Sequence, residues 1–531
     1  MPPATLLQTC VNTPPEIRAS QPLPTGEGVL DPASFRTIEG ERLFEAVNHA
    51  RTLAGQAVLH RSLAQPPGDH ATAQSRQDAV RELREDPELR GRLEALVQQA
   101  AEREEDFFVL LFGTFLGQFG SPANAMERQG YGHETYRNGT AFLLNFADGI
   151  AASPTPHSDY LRSLFGTFGR FAASRAATLM RGPAYFSERA MLTRAEKGWL
   201  TPAVRFTPHM FKPVFLALAF AVGWAVVEFV PILLDLASVF LPSFWMFLLP
   251  FALLYFPVVG GFDRDSCIYP LRGIFRKSPE VQAAVDALGQ VDELLGFLRY
   301  AEAEGGVTTL PRLLEGERHA LSVTAARNPV LGKTNPDYVP NGIELKDVQL
   351  TFITGPNSGG KTAFCKTLAQ IQLLAQIGCP VPAEKAELTV ADRIFYQAPE
   401  AGALEEGEGR FGTELKRTKA IFLASTPKSL VVLDELSEGT TTQEKLEISA
   451  NILEGFHKKG NNTLLITHNH ELVDLFQDQN VGQARQVEFV GEHPTHRLIP
   501  GISRVSHAHR IARKIGFAKE DIAKYLEEHG I

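Results

Sequence analysis

Apolar residues recur at helical spacing through the first third of the chain, merge into a nearly charge-free run in the middle, and return as short clusters between glycine turns towards the end. Residues 1–36, rich in Pro and Thr, hold no sustained period and read as an irregular lead-in. From Thr37 the period becomes helical. The stretches "EGERLFEAVNHARTLAGQAVLHRSLAQP" and "RQDAVRELREDPELRGRLEALVQQAAEREEDF" place Val80, Leu83, Leu89, Leu93 and Leu96 close to one helical face, with charges opposite. A helical region over 37–212 is expected, although the Gly- and Phe-rich part, 119–212, is only weakly periodic. Over 263–326 a helical connector follows, in which "SPEVQAAVDALGQVDELLGFLRYAEA" fits the 3.6-residue period. From Arg327 to Ile531 strands, glycine turns and helices alternate as in an α/β domain.

Residues 213–262 contain only two charges, Glu228 and Asp235, and the run Leu236 to Phe262 has none. That run exceeds the roughly 20 residues needed to cross a bilayer. Lys197, Arg205 and Lys212 precede the segment, and Arg264, Arg272, Arg276 and Lys277 follow it. The pattern predicts a two-helix transmembrane hairpin with both flanks in the cytoplasm, and Trp224, Trp245 and Tyr255 are available as interfacial anchors. A helical pair buried in a globular core is the competing reading, which Pro242, Pro250, Pro257 and Glu228 favour.

Length and charge narrow the picture further. At 531 residues the chain calls for several domains. A net charge of -9 lacks the overall basic excess of a dedicated nucleic-acid binder, so DNA binding would need a local basic face. Cys10, Cys267, Cys365 and Cys379 form no CxxC and no zinc spacing, which reads as free thiols in a reducing compartment. The N-terminus has no basic start followed by an apolar run, so no cleaved signal peptide is expected.

The chemistry concentrates after residue 350. In "DVQLTFITGPNSGGKTAFCKTLAQIQLLAQ" an apolar strand, a Gly-rich turn and a helix surround GxxxxGK[ST]. Gly355, Pro356, Asn357, Ser358, Gly359, Gly360, Lys361, Thr362 and Ala363 form the expected nucleotide cradle. Glycines let the backbone wrap phosphate, and N–H groups at a helix start meet the anion. Lys361 is expected at the β- and γ-phosphates, and Thr362 on Mg2+. In "SLVVLDELSEGTTT" a buried strand delivers Asp434 to the metal side, and Glu435 is placed to deprotonate the attacking water. A further strand, "NTLLITHNHEL", ends at His468, expected to sense the γ-phosphate, while His470 reads as a surface residue. The arrangement is that of an ABC-type ATPase, with ATP and Mg2+ as cofactors.

These segments resemble the ATPase domain of the MutS family of DNA mismatch repair proteins. "GPNSGGKT" is similar to that family's GPNMGGKST, "LDELSEGTTT" to its DEIGRGTST, and "ITHNHEL" to its ATHYHEL. "AQIGCPVPAEKAEL", "NPVL" with "YVPNGIEL", and "HRLIPGISRVSHAHRIARKIGF" extend the resemblance over 327–516. "TIEGERLF" and "RQDAVRELREDPELRGRLEAL" resemble the family's helical core. The fold thus expected is multi-domain: a helical core and lever region with a membrane hairpin, then a C-terminal P-loop α/β ATPase domain.

The resemblance implies a homodimer through the ATPase domains, with nucleotide state moving helical arms that close on duplex DNA. The departures are specific. Only about 36 residues precede the core, too few for the family's mismatch-reading domain. Phe186 and Glu188 in "YFSER" match the spacing of its wedge but lie in the wrong place. The family's STFM-x-EM loop reads "GRFGTEL", so Gly409 and Arg410 stand near its signature serine, and Glu414 at its glutamate. Two functions follow from the sequence. One is a membrane-anchored ATPase that acts on DNA without evident mismatch-reading residues. The other is a membrane-bound, ATP-driven scaffold for protein partners. Both place the protein at the cytoplasmic membrane, with lipid contacts through 213–262 and the ATPase domain facing the cytoplasm.

Overall fold

The computed structural model describes residues 5–9, 13–218, 221, 255–304, 308–335, 337–356, 359–399, 409–436, 442–491, 493–504 and 515–529. The chain forms two compact units. One comprises Met1–Ala19, Ala50–Val58 and Glu82–Leu295, the other Ser20–His49, Leu59–Arg81 and Gly296–Ile531.

The first unit is mainly helical. The amphipathic pattern through Val80 and Leu96 breaks into two helices, His70–Glu85, most of which belongs to the second unit, and Pro87–Ala101 in the first. Asp86 is the cause: its carboxylate accepts from the N–H groups of Glu88 (3.0 Å) and Leu89 (2.9 Å), and Pro87 begins the new helix. All five apolar residues of the pattern are buried. Helices Glu104–Phe112 and His133–Ala151 pack closely, with Phe107 and Phe142 stacked at 4.7 Å. A Cβ at Gly139 would meet the Asp106 carbonyl oxygen at 2.9 Å, so only glycine permits this approach. The weakly periodic stretch after residue 119 adds helices Asp159–Ala172 and Arg175–Arg181. It also forms an antiparallel sheet in the order Ala190–Leu192, Ala184–Ser187, Val204–Phe206. Phe186 lies in that sheet, edge-on to Phe262 at 5.5 Å, and Glu188 sits at the hairpin with φ 44°.

Two buried carboxylates hold the start of helix Leu53–Ala64. Asp292 accepts from the Arg51 and Thr52 amides and the Thr52 hydroxyl, at 2.7–2.8 Å. Glu104 accepts from the Leu53 (2.6 Å) and Ala54 (3.0 Å) amides. Burial, reinforced by the nearby Asp292 charge, pushes the Glu104 carboxyl up to about 7 against the lowering effect of those amides.

The membrane hairpin expected over 213–262 is corrected by the fold. No helix among the described residues is long and apolar enough to cross a membrane. The two described ends of the segment differ: Val214 and Leu218 are exposed, whereas Tyr255 and Val259 are buried in protein. Tyr255, expected as an interfacial anchor, is buried, and its hydroxyl donates to the Met210 carbonyl at 2.9 Å. Beside it the Lys212 ammonium is ion-paired with the fully buried Asp263, which also meets His133 at 2.8 Å. A charge-free run reports apolarity alone, and a protein interior demands the same composition as lipid; here Tyr255 and Val259 at the C-terminal end take protein cover. Among the described residues the fold is therefore mixed α/β, with no membrane-spanning helix. The cytoplasmic-membrane location, the lipid contacts and the membrane-bound scaffold that rested on the hairpin fall with it. Trp224, Trp245, Glu228, Asp235, Pro242 and Pro250 lie outside the described residues.

The second unit is built on a six-stranded sheet. Its order is Ile394–Gln397, Leu430–Asp434, Asn462–Ile466, Leu350–Thr354, Gln483–Val490, His493–Pro500, and all pairs are parallel except the last. Three strands, Leu350–Thr354, Leu430–Asp434 and Asn462–Ile466, are buried throughout, as continuous apolar strands in a covered parallel sheet should be. Phe352, Val431, Leu433 and Leu465 pack with Leu453, Phe456 and Phe476 from helices Thr442–Lys459 and His470–Asp478. A second sheet, four-stranded, runs Arg312–Leu314, Lys385–Thr389, Leu321–Ala326, Asn341–Glu344. The later part of the stretch that reads as irregular near the N-terminus, from Ser20, completes this unit. Leu30 bridges Ile394 in parallel at the sheet edge, and Pro32–Thr37 is a helix capped by Asp31.

Candidate nucleotide site at the strand ends

Strand Leu350–Thr354 turns at Gly355 into helix Lys361–Gln376. Gly355 (φ 131°) and Gly360 (φ 88°) take left-handed conformations that a side chain would strain. Val487 lies under the loop: a Cβ on Gly359 would come within 2.7 Å of it. The loop thus needs glycine both for its turn and for its seat on the neighbouring strand. Pro356 accepts from Gly359 N–H at 3.0 Å; Asn357 and Ser358 lie outside the described residues.

Lys361 is buried at the helix start, and its ammonium donates to the Gly355 carbonyl at 2.6 Å. Burial lowers its pKa, while Asp434 and Glu435 pull the other way. The Thr362 hydroxyl donates to the Asp434 carboxylate at 2.9 Å, although 72 residues separate them. Parallel pairing explains the meeting, since strand Leu430–Asp434 ends beside Asn462–Ile466, which pairs with Leu350–Thr354. Ala363, next along, lies in the first turn of the helix and accepts from the Thr367 hydroxyl at 2.8 Å.

Glu435 follows Asp434 with φ 59°, a left-handed conformation unfavourable for a non-glycine residue. Its amide donates to the Ile466 carbonyl at 2.9 Å, and its carboxylate lies 3.4 Å from the His468 imidazole. His468 Nε2 is also 3.4 Å from the Lys361 ammonium. Lys361, Thr362, Asp434, Glu435 and His468 therefore form one cluster at the C-terminal ends of three adjacent parallel strands, where open α/β sheets bind ligands. Backbone strain at a residue in such a cluster is the pattern of a functional site. The fit to a nucleotide is chemical: a glycine-lined helix start and a cation suit phosphate, and the hydroxyl and carboxylate oxygens of Thr362 and Asp434 suit Mg2+.

Gly409 and Arg410 lie in the first turn of helix Gly409–Ala424, and the Glu414 carbonyl accepts from the Gln397 amide at 3.4 Å. His470 begins helix His470–Asp478, outside the cluster. Two neighbours escape sequence reasoning. His496 (φ 59°) brings Nδ1 within 3.3 Å of the Gly359 carbonyl, and the buried Tyr396 hydroxyl donates to the Thr362 carbonyl at 3.4 Å. Tyr396 belongs to no quoted motif, and His496, which opens the "HRLIPG" segment, carries no role there; sheet pairing delivers each of them.

Strand order, glycine loop and carboxylate pair define a P-loop α/β domain. Residues 351–527 match the family model for MutS domain V. Among curated relatives, "DNA mismatch repair protein MutS" of Myxococcus xanthus is 34% identical over 261 residues, 47% of this chain and 29% of that protein. The protein of the same name from Parabacteroides distasonis is 33% identical over 265 residues, 47% of this chain and 30% of its own length. That of Haloquadratum walsbyi is 34% identical over 200 residues, 38% of this chain and 21% of its own. The chain thus spans less than a third of the length of the first two relatives it matches, and its similarity to MutS domain V lies in residues 351–527.

Proposed function

We propose that this chain is a MutS-type ATPase that binds and hydrolyses ATP with Mg2+ and couples the cycle to duplex DNA. The convergence of Lys361, Thr362, Asp434, Glu435 and His468 from separate strand ends carries the reading, and the match to MutS domain V supports it. Lys361 holds the β- and γ-phosphates. Thr362 and Asp434 hold Mg2+, which neutralises charge on the phosphates when bound. Glu435 orients the attacking water and takes its proton, and His468 hydrogen-bonds at the γ-phosphate. Two copies pair through their P-loop domains.

DNA is the coupled ligand because the named relatives are mismatch repair proteins; no residue here is assigned to reading a mismatch. The test is ATP turnover of the purified full chain with and without matched and mismatched duplexes, at low and moderate salt. Stimulation by duplex that weakens as salt rises is expected. Turnover indifferent to duplex at low salt would remove DNA from the proposal and turn attention to protein partners, while absence of turnover would sink the ATPase reading itself.

A further inference from the structure

Resting on that ATPase reading, we infer that Asp31 and Arg417 form a positioning knot that sets the rate of nucleotide turnover from the N-terminal part of the chain. Asp31 is almost wholly buried, at 2% exposure, far from the cluster in sequence. One carboxylate oxygen accepts from the Ser34 amide at 2.7 Å and from Arg417 at 2.8 Å. The other accepts from the Thr25 hydroxyl at 2.9 Å and lies 2.7 Å from the same guanidinium nitrogen. Arg417 also donates to the Thr25 hydroxyl at 3.0 Å and to the Ser34 hydroxyl at 3.3 Å.

What the knot holds gives it a role. Arg417 lies on helix Gly409–Ala424, and the Ser34 hydroxyl accepts from the Tyr396 amide at 3.0 Å on strand Ile394–Gln397. Gln397 ties strand and helix again, donating to Thr418 at 3.0 Å. The knot and the Gln397 contact thus hold strand Ile394–Gln397 and helix Gly409–Ala424 together. Tyr396 then reaches the Thr362 carbonyl at the start of the P-loop helix. A buried carboxylate–guanidinium pair is directional and costly to break on one side, which suits it to setting geometry more than to adding net stability. Sequence reading offers no pointer to it, since Asp31 falls in the apparently irregular lead-in.

The test compares the full chain with Arg417→Gln, Arg417→Lys and Asp31→Asn below their unfolding midpoints, following ATP affinity, kcat, and amide exchange across Gly409–Ala424. In Arg417→Gln, kcat falls about tenfold, ATP affinity stays within about twofold because Lys361 and Thr362 are untouched, and exchange rises in the first turns of that helix. Asp31→Asn keeps the helix cap but loses the charge and follows the same direction, whereas Arg417→Lys restores part of kcat. A folded Arg417→Gln with wild-type kcat and wild-type exchange overturns the knot, as does a loss confined to the unfolding midpoint. If the wild-type chain itself shows no turnover, the ATPase reading has failed, the rate-setting role fails with it, and exchange alone decides whether the knot orders the helix.

Discussion

The two units bury polar groups to different ends. In the sheet-based unit, buried or half-buried Lys361, Thr362, Asp434 and Glu435 converge at the glycine loop, where their contacts run to one another, to the loop carbonyl of Gly355 and to His468. In the helical unit Asp292, Glu104 and Asp263 are equally buried, but each is saturated by backbone amides or by an opposite charge within the unit. Burial therefore does not mark a site by itself. The lesson is to ask whether the partners of a buried charge are exchangeable: strand-end groups at a glycine loop are, and groups that cap a helix start are not.

The largest expected contrast comes from Glu435→Gln. Removing a general base lowers turnover by roughly 10²–10⁴-fold, while ATP still binds and the fold is unaffected. Single-turnover hydrolysis beside a nucleotide-binding assay reads both, and unchanged hydrolysis would take the base role away from Glu435. Next comes Lys212→Met in the helical unit, which strands the Asp263 carboxylate inside protein. A loss of about 3–5 kcal/mol is expected for breaking a buried pair from one side, limited by the remaining contact from His133. Urea unfolding measures it, and a loss below about 1 kcal/mol would show that Asp263 finds other cover.

The smallest effect separates the units by the sign of their pH response. Glu104 is raised from 4.5 to about 7, so the neutral acid is the form that folding favours. Its contribution, up to about 3 kcal/mol, is complete below pH 4.5 and is lost as pH rises through 7. His319 in the sheet-based unit is buried and bonded to Gln372 and Asn462, and burial lowers it from 6.5 to about 4. Its neutral form is favoured, so a similar stabilisation is complete above pH 6.5 and is lost as pH falls through 4. Amide exchange between pH 4 and 8, corrected for intrinsic rates, should show helix Glu104–Phe112 opening more readily at high pH and strand Asn462–Ile466 at low pH. Slopes of the same sign in both, or slopes that survive Glu104→Gln and His319→Gln, would contradict these assignments.

Local pattern sufficed wherever one segment carries its whole reason. The strand, glycine turn and helix from Leu350 to Gln376 are such a case, because the loop, its glycines and its helix start are consecutive. The alternation after Arg327 likewise announced an α/β unit, and the strand ending at Asp434 was legible as a buried parallel one, while the next, read as a strand reaching His468, ends at Ile466. The middle of the chain was not legible. Freedom from charge over Leu236 to Phe262 states only that water is avoided, and it took the contacts of Tyr255, Lys212 and Asp263 to show what covers the C-terminal end. The break at Asp86 was written in the sequence as an Asp-Pro pair, but the apolar period running across it hid the signal.

Sequence by itself determined the chemistry that depends on neighbours in the chain: the glycine-rich turn between strand and helix, and the carboxylate pair at the end of one strand. Only tertiary structure decided which distant groups meet. Strand order laid Asp434 against Thr362 and set His468 beside Glu435. It also drew Asp31 and Leu30 from near the N-terminus to the sheet edge that holds Tyr396. The physical reason is that hydrophobic period specifies which face of an element is buried, whereas the partner across that face depends on the order of strands in the sheet, which no local period encodes.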